Sequence, residues 1–339
     1  WLLEMLSTNF VPPEDDSGVN DVMEFNPDLW EIWFQILIDL ALGKMVSMET
    51  FTEQTRRAIW TIGGDIRADA AELLQKGWAC LGWQAPPEYI TVLYPMDRVG
   101  GYQVGLSTEI IPSVVRLCMG LHDQLQSVGL DILRSIIVSE WQLNENLAVV
   151  QAAIINAFDT MHREDSAMQS PFASAFLERL GKHFGVIKNT ELNVLYEALM
   201  SVIAEVGRLF NVLADLGDVR DPASRMVQLL RLMEFLRLSG QEDAYVCRIH
   251  ELAELHVQAR NYSSAACTLS LHVEVLNESQ PSRALAAAKV PGLETPAELV
   301  QSRKDRLYRT IATYYEKGYS WENVLKTLKQ LAAGREATW

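Results

Sequence analysis

Three histidines, His250, His256 and His272, stand close together beside Glu251, Glu254 and Glu274. Imidazoles and carboxylates are common donors to a bound metal. The spacing argues against such a site, because His250 and His256 are six positions apart and point to different faces of a helix. Neither an HExxH motif nor a pair of histidines at i, i+4 occurs. Other candidate chemistry is weaker. Ser263-Ser264 lacks the GxSxG context of an activated serine, and Gly63-Gly64 and Gly100-Gly101 lack the strand-glycine-helix setting of a dinucleotide site. Asp15-Asp16 reads as solvated, while Glu242-Asp243 suits the first turn of a helix, where the helix dipole favours negative charge. Arg56-Arg57 and Arg303-Lys304 read as ordinary surface. No catalytic residue, cofactor or metal ligand is read from the chain, and it is not expected to be an enzyme.

The elements that hold these residues are helices. Over 244–276, Ile249, Leu252, Ala253, Leu255 and His256 recur at helical spacing, a polar run at 258–261 interrupts them, and Ala265, Ala266, Leu269, Val273 and Leu276 rebuild an apolar face. Two helices folded back at Asn261-Tyr262 are therefore expected, with small Ala265 and Ala266 allowing close approach. At an offset of 59, Leu252, Tyr262, Ala266 and Leu269 align with Ile311, Trp321, Leu325 and Leu328. This suggests a second hairpin at 303–333 after a proline-bearing insertion at 281–296, although two copies do not by themselves establish a repeat.

Upstream, 11–21 reads as a loop. Helices are expected from Asn26-Pro27-Asp28 to about Leu42, from Met48-Glu49-Thr50 to about Ile62, and from Ile66 to about Leu81. Residues 85–105 read as a long connection in which Tyr89 to Leu93 forms a brief strand. From Ser107 the pattern is helical, with breaks near Gly129, Gln142, 164–170, 185–189 and 217–222. The fold class is all-α, an α-solenoid of armadillo or tetratricopeptide type built by stacking antiparallel helical hairpins.

Composition agrees with this reading. The 339 residues are 49% hydrophobic and 22% charged, enough to bury a core. A formal charge of -15 weighs against nucleic-acid binding, which needs clustered cations; it leaves open plain solubility or the steering of a basic partner. Cys80, Cys118, Cys247 and Cys267 show no CxxC pairing and sit in apolar helical patterns, as buried reduced thiols in a cytoplasmic protein would. No secretory leader is read, and a chain opening on Trp1 is expected to be part of a longer one. The apolar run from Ile32 to Leu42 is interrupted by Gln35 and Asp39 and falls short of the roughly 18 residues of a membrane helix.

The residues themselves carry a resemblance. Glu254-Leu255-His256, Asn261-Tyr262, Ala265-Ala266, Thr268-Leu269, Leu271-His272 and Val275-Leu276, followed by Leu307-Tyr308, Tyr314, Lys317-Gly318, Trp321-Glu322 and Leu331-Ala332, stand in an order that resembles a known lobe. It is the helical lobe that opens the exchange domain of DOCK (dedicator of cytokinesis) family guanine nucleotide exchange factors. The likeness is specific over 222–333. It is looser before that, where 30–44 and 61–74 resemble the preceding helical region.

The resemblance implies an armadillo-like scaffold over 1–216 and a first exchange-domain lobe over 217–339, acting in the cytoplasm with membrane recruitment through other regions. It implies that this lobe is a homodimerisation platform, and that two further lobes, expected after Trp339, grip a Rho-family, Rac-like GTPase. No catalytic residue is therefore carried over. An ELMO-type adaptor is an implied partner, and His256 and His272 match family positions that imply packing or hydrogen bonding within the hairpin. Adjacent Tyr314 and Tyr315 cannot share a helix face, so at least one points away from the packing seam. Tyr308, Tyr315, Tyr319, Trp321 and Leu325 are accordingly the expected dimer contacts. A helical-repeat interaction module with no exchange role is the alternative.

Overall fold

A computed structural model of the chain describes residues 2–11, 25–48, 51–164, 170–188, 190–219, 221–277, 283–285, 288–290 and 293–336. It is an all-α solenoid, with only short antiparallel strand pairs added. Two compact units divide it: Trp1–Met161 with Met168–Phe210, and His162–Ala167 with Asn211–Trp339. The loop expected at 11–21 lies almost wholly outside the described residues.

The first unit holds α1 (Leu2–Asn9), α2 (Pro27–Ala41), α3 (Glu53–Gly63), α4 (Ile66–Leu81), the short α5 (Ile90–Leu93), α6 (Val104–Cys118), α7 (Asp123–Asn144), α8 (Ala148–Glu164) and α9 (Ser170–Phe184). α8, at its last turn, and α10 (Asn193–Asp218) run across the boundary. Asn26 starts α2 by accepting the Leu29 amide at 3.2 Å, with Pro27 at the first helical position. Trp30, Phe34 and Ile38 then recur every fourth residue and are buried against α4 and α6. The rings of Phe34 and Trp78 meet edge to face at 5.7 Å. α3 is capped by Thr52 and starts at Glu53, three residues after Thr50; residues 49 and 50 lie outside the described set.

α7 is the centre of this unit. Every residue from Val128 to Glu140 is buried. A helix enclosed on all sides must satisfy its polar groups internally. Ser135 Oγ accepts from Trp78 Nε1 at 2.5 Å. Arg134 pairs with Asp131, donates to the Val92 carbonyl at 3.0 Å and meets His183 Nδ1 at 3.1 Å. Burial brings the Arg134 pKa down to about 10, and burial followed by the Arg134 charge lowers that of His183.

The helix also explains a misplaced break. Gly129 does not interrupt α7; it lets α6 approach, since a Cβ there would stand 2.9 Å from Cys118 Sγ and 3.2 Å from Leu117 Cβ. The break expected near Gln142 falls two residues on, where α7 ends at Asn144 and Glu145 takes the left-handed conformation. Tyr89 to Leu93 is not a strand either. Leu93 N donates to Tyr89 O at 3.0 Å, closing the turn of α5, and the strands flank it: β1 (Trp83–Gln84) pairs antiparallel with β2 (Arg98–Val99).

In the second unit α11 (Pro222–Leu238), α12 (Glu242–Gln258), α13 (Tyr262–Asn277), α14 (Val300–Lys317) and α15 (Trp321–Glu336) pack each on the next. The insertion between α13 and α14 holds strands that the sequence pattern did not announce. β3 (Ala284–Leu285) pairs with β6 (Glu298–Leu299), and β4 (Ala288–Val290) with β5 (Leu293–Thr295). Partner numbers keep one register throughout, from Ala284 opposite Leu299 to Val290 opposite Leu293. The two strand pairs thus share one antiparallel register. Arg303 and Arg306 both reach Glu298, at 2.9 and 2.6 Å. Among the described residues no helix is long and apolar enough to cross a membrane.

Candidate interaction surface

The two hairpins of the second unit repeat the same turn. α12 ends with Arg260 in the left-handed conformation, where Arg260 N donates to Val257 O and Asn261 N to His256 O. α14 ends likewise at Tyr319, with Tyr319 N to Glu316 O and Ser320 N to Tyr315 O, each 59 residues on. Both are Schellman turns, which satisfy the last carbonyls of a helix by placing one residue at positive φ. α11 closes in the same way around Gly240. The two later turns touch: Ser263 Oγ and Ser320 Oγ are 2.9 Å apart, and a Cβ on Gly318 would strike Ser263 Oγ at 2.5 Å.

Equivalence continues along the helices but burial does not. Leu252 and Ile311 are both buried, as are Ala253 and Ala312, so α12 and α14 present like faces to their partners. Ala266 and Leu269 are buried on α13, which lies between α12 and α14. Their counterparts on α15, Leu325 and Leu328, are 62% and 44% exposed, and Trp321 and Tyr319 beside them are 56% and 81% exposed. α15 packs chiefly on α14. Its outer face carries the apolar residues of a helix that expects a further neighbour.

The five expected contact residues therefore divide. Tyr319, Trp321 and Leu325 lie on the outer face. Tyr308 is half-buried on α14, and Tyr315 is inside the unit's own core, where its hydroxyl lies 3.2 Å from Cys267 Sγ. Burial, then the thiol contact, pushes the Tyr315 pKa up to about 12. Tyr314 is half-buried, with Lys317 Nζ 6.0 Å from its ring centre. The outward aromatics thus come from the turn after α14 and the start of α15. Cys267 itself is exposed and Cys80 half-buried, contrary to the expectation of burial for all four thiols; all four cysteines are free.

The histidines separate as their spacing requires. His250 Nε2 and His272 Nδ1 meet at 2.9 Å across α12 and α13, while His256 stands apart from the pair. Burial, then Arg306 and Arg303, brings His250 down to about 4; burial, then His250 and the same arginines, brings His272 to about 3. Both are neutral at physiological pH. Among the described residues no group of three or more histidine, cysteine or acidic side chains is arranged to hold a metal ion. Glu251 lies between Arg248 at 2.5 Å and Arg225 at 3.0 Å. Burial would raise its pKa, but the two arginines outweigh that and lower it. These groups are structural, and none converges on an open reacting position.

No family model matches the chain. It is similar to dedicator of cytokinesis protein 3 of Homo sapiens, 25% identical over 324 residues covering 93% of this chain and 15% of that protein. Dedicator of cytokinesis protein 4 of Mus musculus is 24% identical over 322 residues, covering 92% of this chain and 15% of its own length. The chain spans about 15% of the length of the curated relatives it matches. The similarity to these dedicator of cytokinesis (DOCK) proteins runs through both compact units.

Proposed function

We propose that the chain is the scaffold and dimerisation portion of a DOCK-type guanine nucleotide exchange factor for Rho-family, Rac-like GTPases. Residues 1–216 serve as the armadillo-like scaffold and 217–339 as the first helical lobe of the exchange domain, with an ELMO-type adaptor among the partners. The observation that carries the dimerisation role is the exposed face of α15, where Leu325 and Leu328 occupy the places that Ala266 and Leu269 bury on α13. A second copy covers it, and a two-fold interface presents each residue twice. Charge permits this. The formal -15 falls on residues 1–210, with 28 Asp and Glu against 13 Lys and Arg, whereas 211–339 holds 16 of each. Two copies of the second unit thus meet without net repulsion.

Tyr319 supports the same reading, since a tyrosine held at φ 56 keeps a conformation that glycine adopts more easily. Strain of this kind concentrates where a side chain is needed. Sedimentation velocity at tens of micromolar tests the proposal: the chain should be a dimer, and Leu325→Glu with Leu328→Glu should give a folded monomer. A monomeric parent chain, or a folded variant that stays dimeric, overturns the interface. The exchange role is tested by release of a fluorescent guanine nucleotide from Rac-like and Rho-like GTPases. Residues 1–339 alone should leave the spontaneous rate unchanged, and the chain joined to the lobes expected after Trp339 should accelerate it; failure of the longer chain would favour a helical-repeat interaction scaffold with no exchange role.

A further inference from the structure

A cavity of about 420 Å³ opens in the second unit, away from the outer face of α15, between the end of α11, the first turns of α12 and the far part of α13. Its size falls at the lower end of the roughly 300–1,000 Å³ typical of small-molecule sites. Leu271 and Val275 form an apolar side, and two largely buried polar residues line it, Gln241 at 7% and Tyr245 at 8% exposure. Gln241 Nε2 is committed to the Ser239 carbonyl at 3.0 Å. The Tyr245 hydroxyl makes no hydrogen bond among the described residues and is open to the cavity.

Charges of both signs surround that hydroxyl. Arg237 and Glu274 both line the cavity, close enough that, after burial, their opposed fields act on the phenol. Glu242 adds a second carboxylate to the lining. Among the described residues the side chains of Arg237, Glu242 and Glu274 form neither an ion pair nor a hydrogen bond. Two carboxylates disfavour a phosphate, and three charged groups disfavour a wholly apolar ligand. What complements them is a cation and a carboxylate carried together.

We infer that this cavity binds a basic amino acid with a free carboxylate, its carboxylate received by Arg237 and the Tyr245 hydroxyl and its cationic side chain by Glu274 and Glu242. The stem of an arginine or lysine would lie along Leu271 and Val275. The same chemistry is offered by free arginine and by the C-terminal arginine of a peptide. The inference does not depend on the exchange or dimerisation roles, because the cavity belongs to one copy of the unit.

Calorimetric titration of the whole chain separates the sources, using L-arginine, the tripeptide Gly-Gly-Arg and Gly-Gly-Arg amide. Saturable binding with a Kd on the order of 1 mM or tighter is expected for at least one of the two acids. Binding of L-arginine identifies a free amino acid as the ligand, and binding of the tripeptide alone identifies a peptide end. The amide should bind at least about tenfold more weakly than the tripeptide acid where that acid binds. Arg237→Ala should weaken the carboxylate-bearing ligand by about tenfold or more, and Glu274→Gln should do so as well. Both positions are exposed, so the variants should keep the parent melting temperature. No saturable binding of either acid, or binding unchanged in both folded variants, overturns the inference.

Discussion

His250 Nε2 lies 2.9 Å from His272 Nδ1, and the two rings meet edge to face in the seam between α12 and α13. One nitrogen must carry a hydrogen and the other a lone pair, so the contact exists only while the pair is not doubly protonated. The nearby charges of Arg303 and Arg306 reinforce the neutral state.

That fixes the direction of a pH effect. Both folded pKa values, about 4 and about 3, lie below the ordinary 6.5. As pH falls through 6.5 the unfolded chain takes up protons that the fold refuses, so stability is full above 6.5 and is lost progressively towards pH 4 and below. The pair should account for on the order of 3 kcal/mol of this loss. Urea melts between pH 7.5 and 4.5, followed by a probe in the second unit, should show the slope in the parent and a flatter one in His250→Gln with His272→Gln. An equal slope in the double variant would assign it to other groups.

Glu251→Ala would leave Arg248, 1% exposed, without the carboxylate at 2.5 Å. Removing one partner of a buried ion pair commonly costs about 3–5 kcal/mol, and the half-exposed Arg225 contact adds little. Chemical denaturation of the second unit should report a loss of that order, reduced when Arg248→Met is combined with it. A loss below about 1 kcal/mol would show the triad to be solvent-like.

Gly129→Ala should destabilise the first unit although alanine is the better helix former. The new methyl meets Cys118 Sγ at 2.9 Å and Leu117 Cβ at 3.2 Å, and overpacking of this kind costs about 1–3 kcal/mol. Adding Cys118→Ala should recover part of the loss, as seen in the melting temperatures of the single and double variants.

Tyr315→Ala and Leu325→Ala should part company. The first opens a cavity between α13 and α14 and removes the contact to Cys267, so it should lower stability by about 3 kcal/mol or more. The second removes a side chain that is 62% exposed and should leave the melting temperature of a dilute, dissociated sample nearly unchanged while weakening self-association. Sedimentation and melting measured side by side distinguish them.

At the left-handed position of the α12 turn, Arg260→Gly should stabilise by about 0.5–1 kcal/mol, because Gly240 already fills the same place after α11 without strain. A neutral or destabilising result would mean that the Arg260 side chain contributes more than its backbone costs.

The hairpins were legible in the sequence because their signals are local. Apolar spacing, a polar interruption and small Ala265-Ala266 mark α12 and α13, and the offset of 59 carries the pattern to α14 and α15. What escaped depends on distant parts of the chain. Gly129 looks like a break until α6 is known to pass beside it. The strands at 284–299 are defined by their pairing rather than by alternation of residue types. Tyr315 and Tyr319 are both tyrosines in an aromatic cluster, and only the turn at Gly318 decides that one enters the core and the other faces outwards. The meeting of His250 with His272 needed the separation of α12 and α13, which periodicity does not supply. The cavity beside Tyr245 likewise joins residues from three helices.

The enclosure of α7 orders the unfolding of the first unit in time. With every residue from Val128 to Glu140 beneath neighbouring helices, its amides can reach solvent only when those helices leave. Deuterium should therefore enter α3 early, since none of its residues is buried, and α7 last, at the rate of global opening. The helix that touches water least is the clock by which the lifetime of the whole unit can be read.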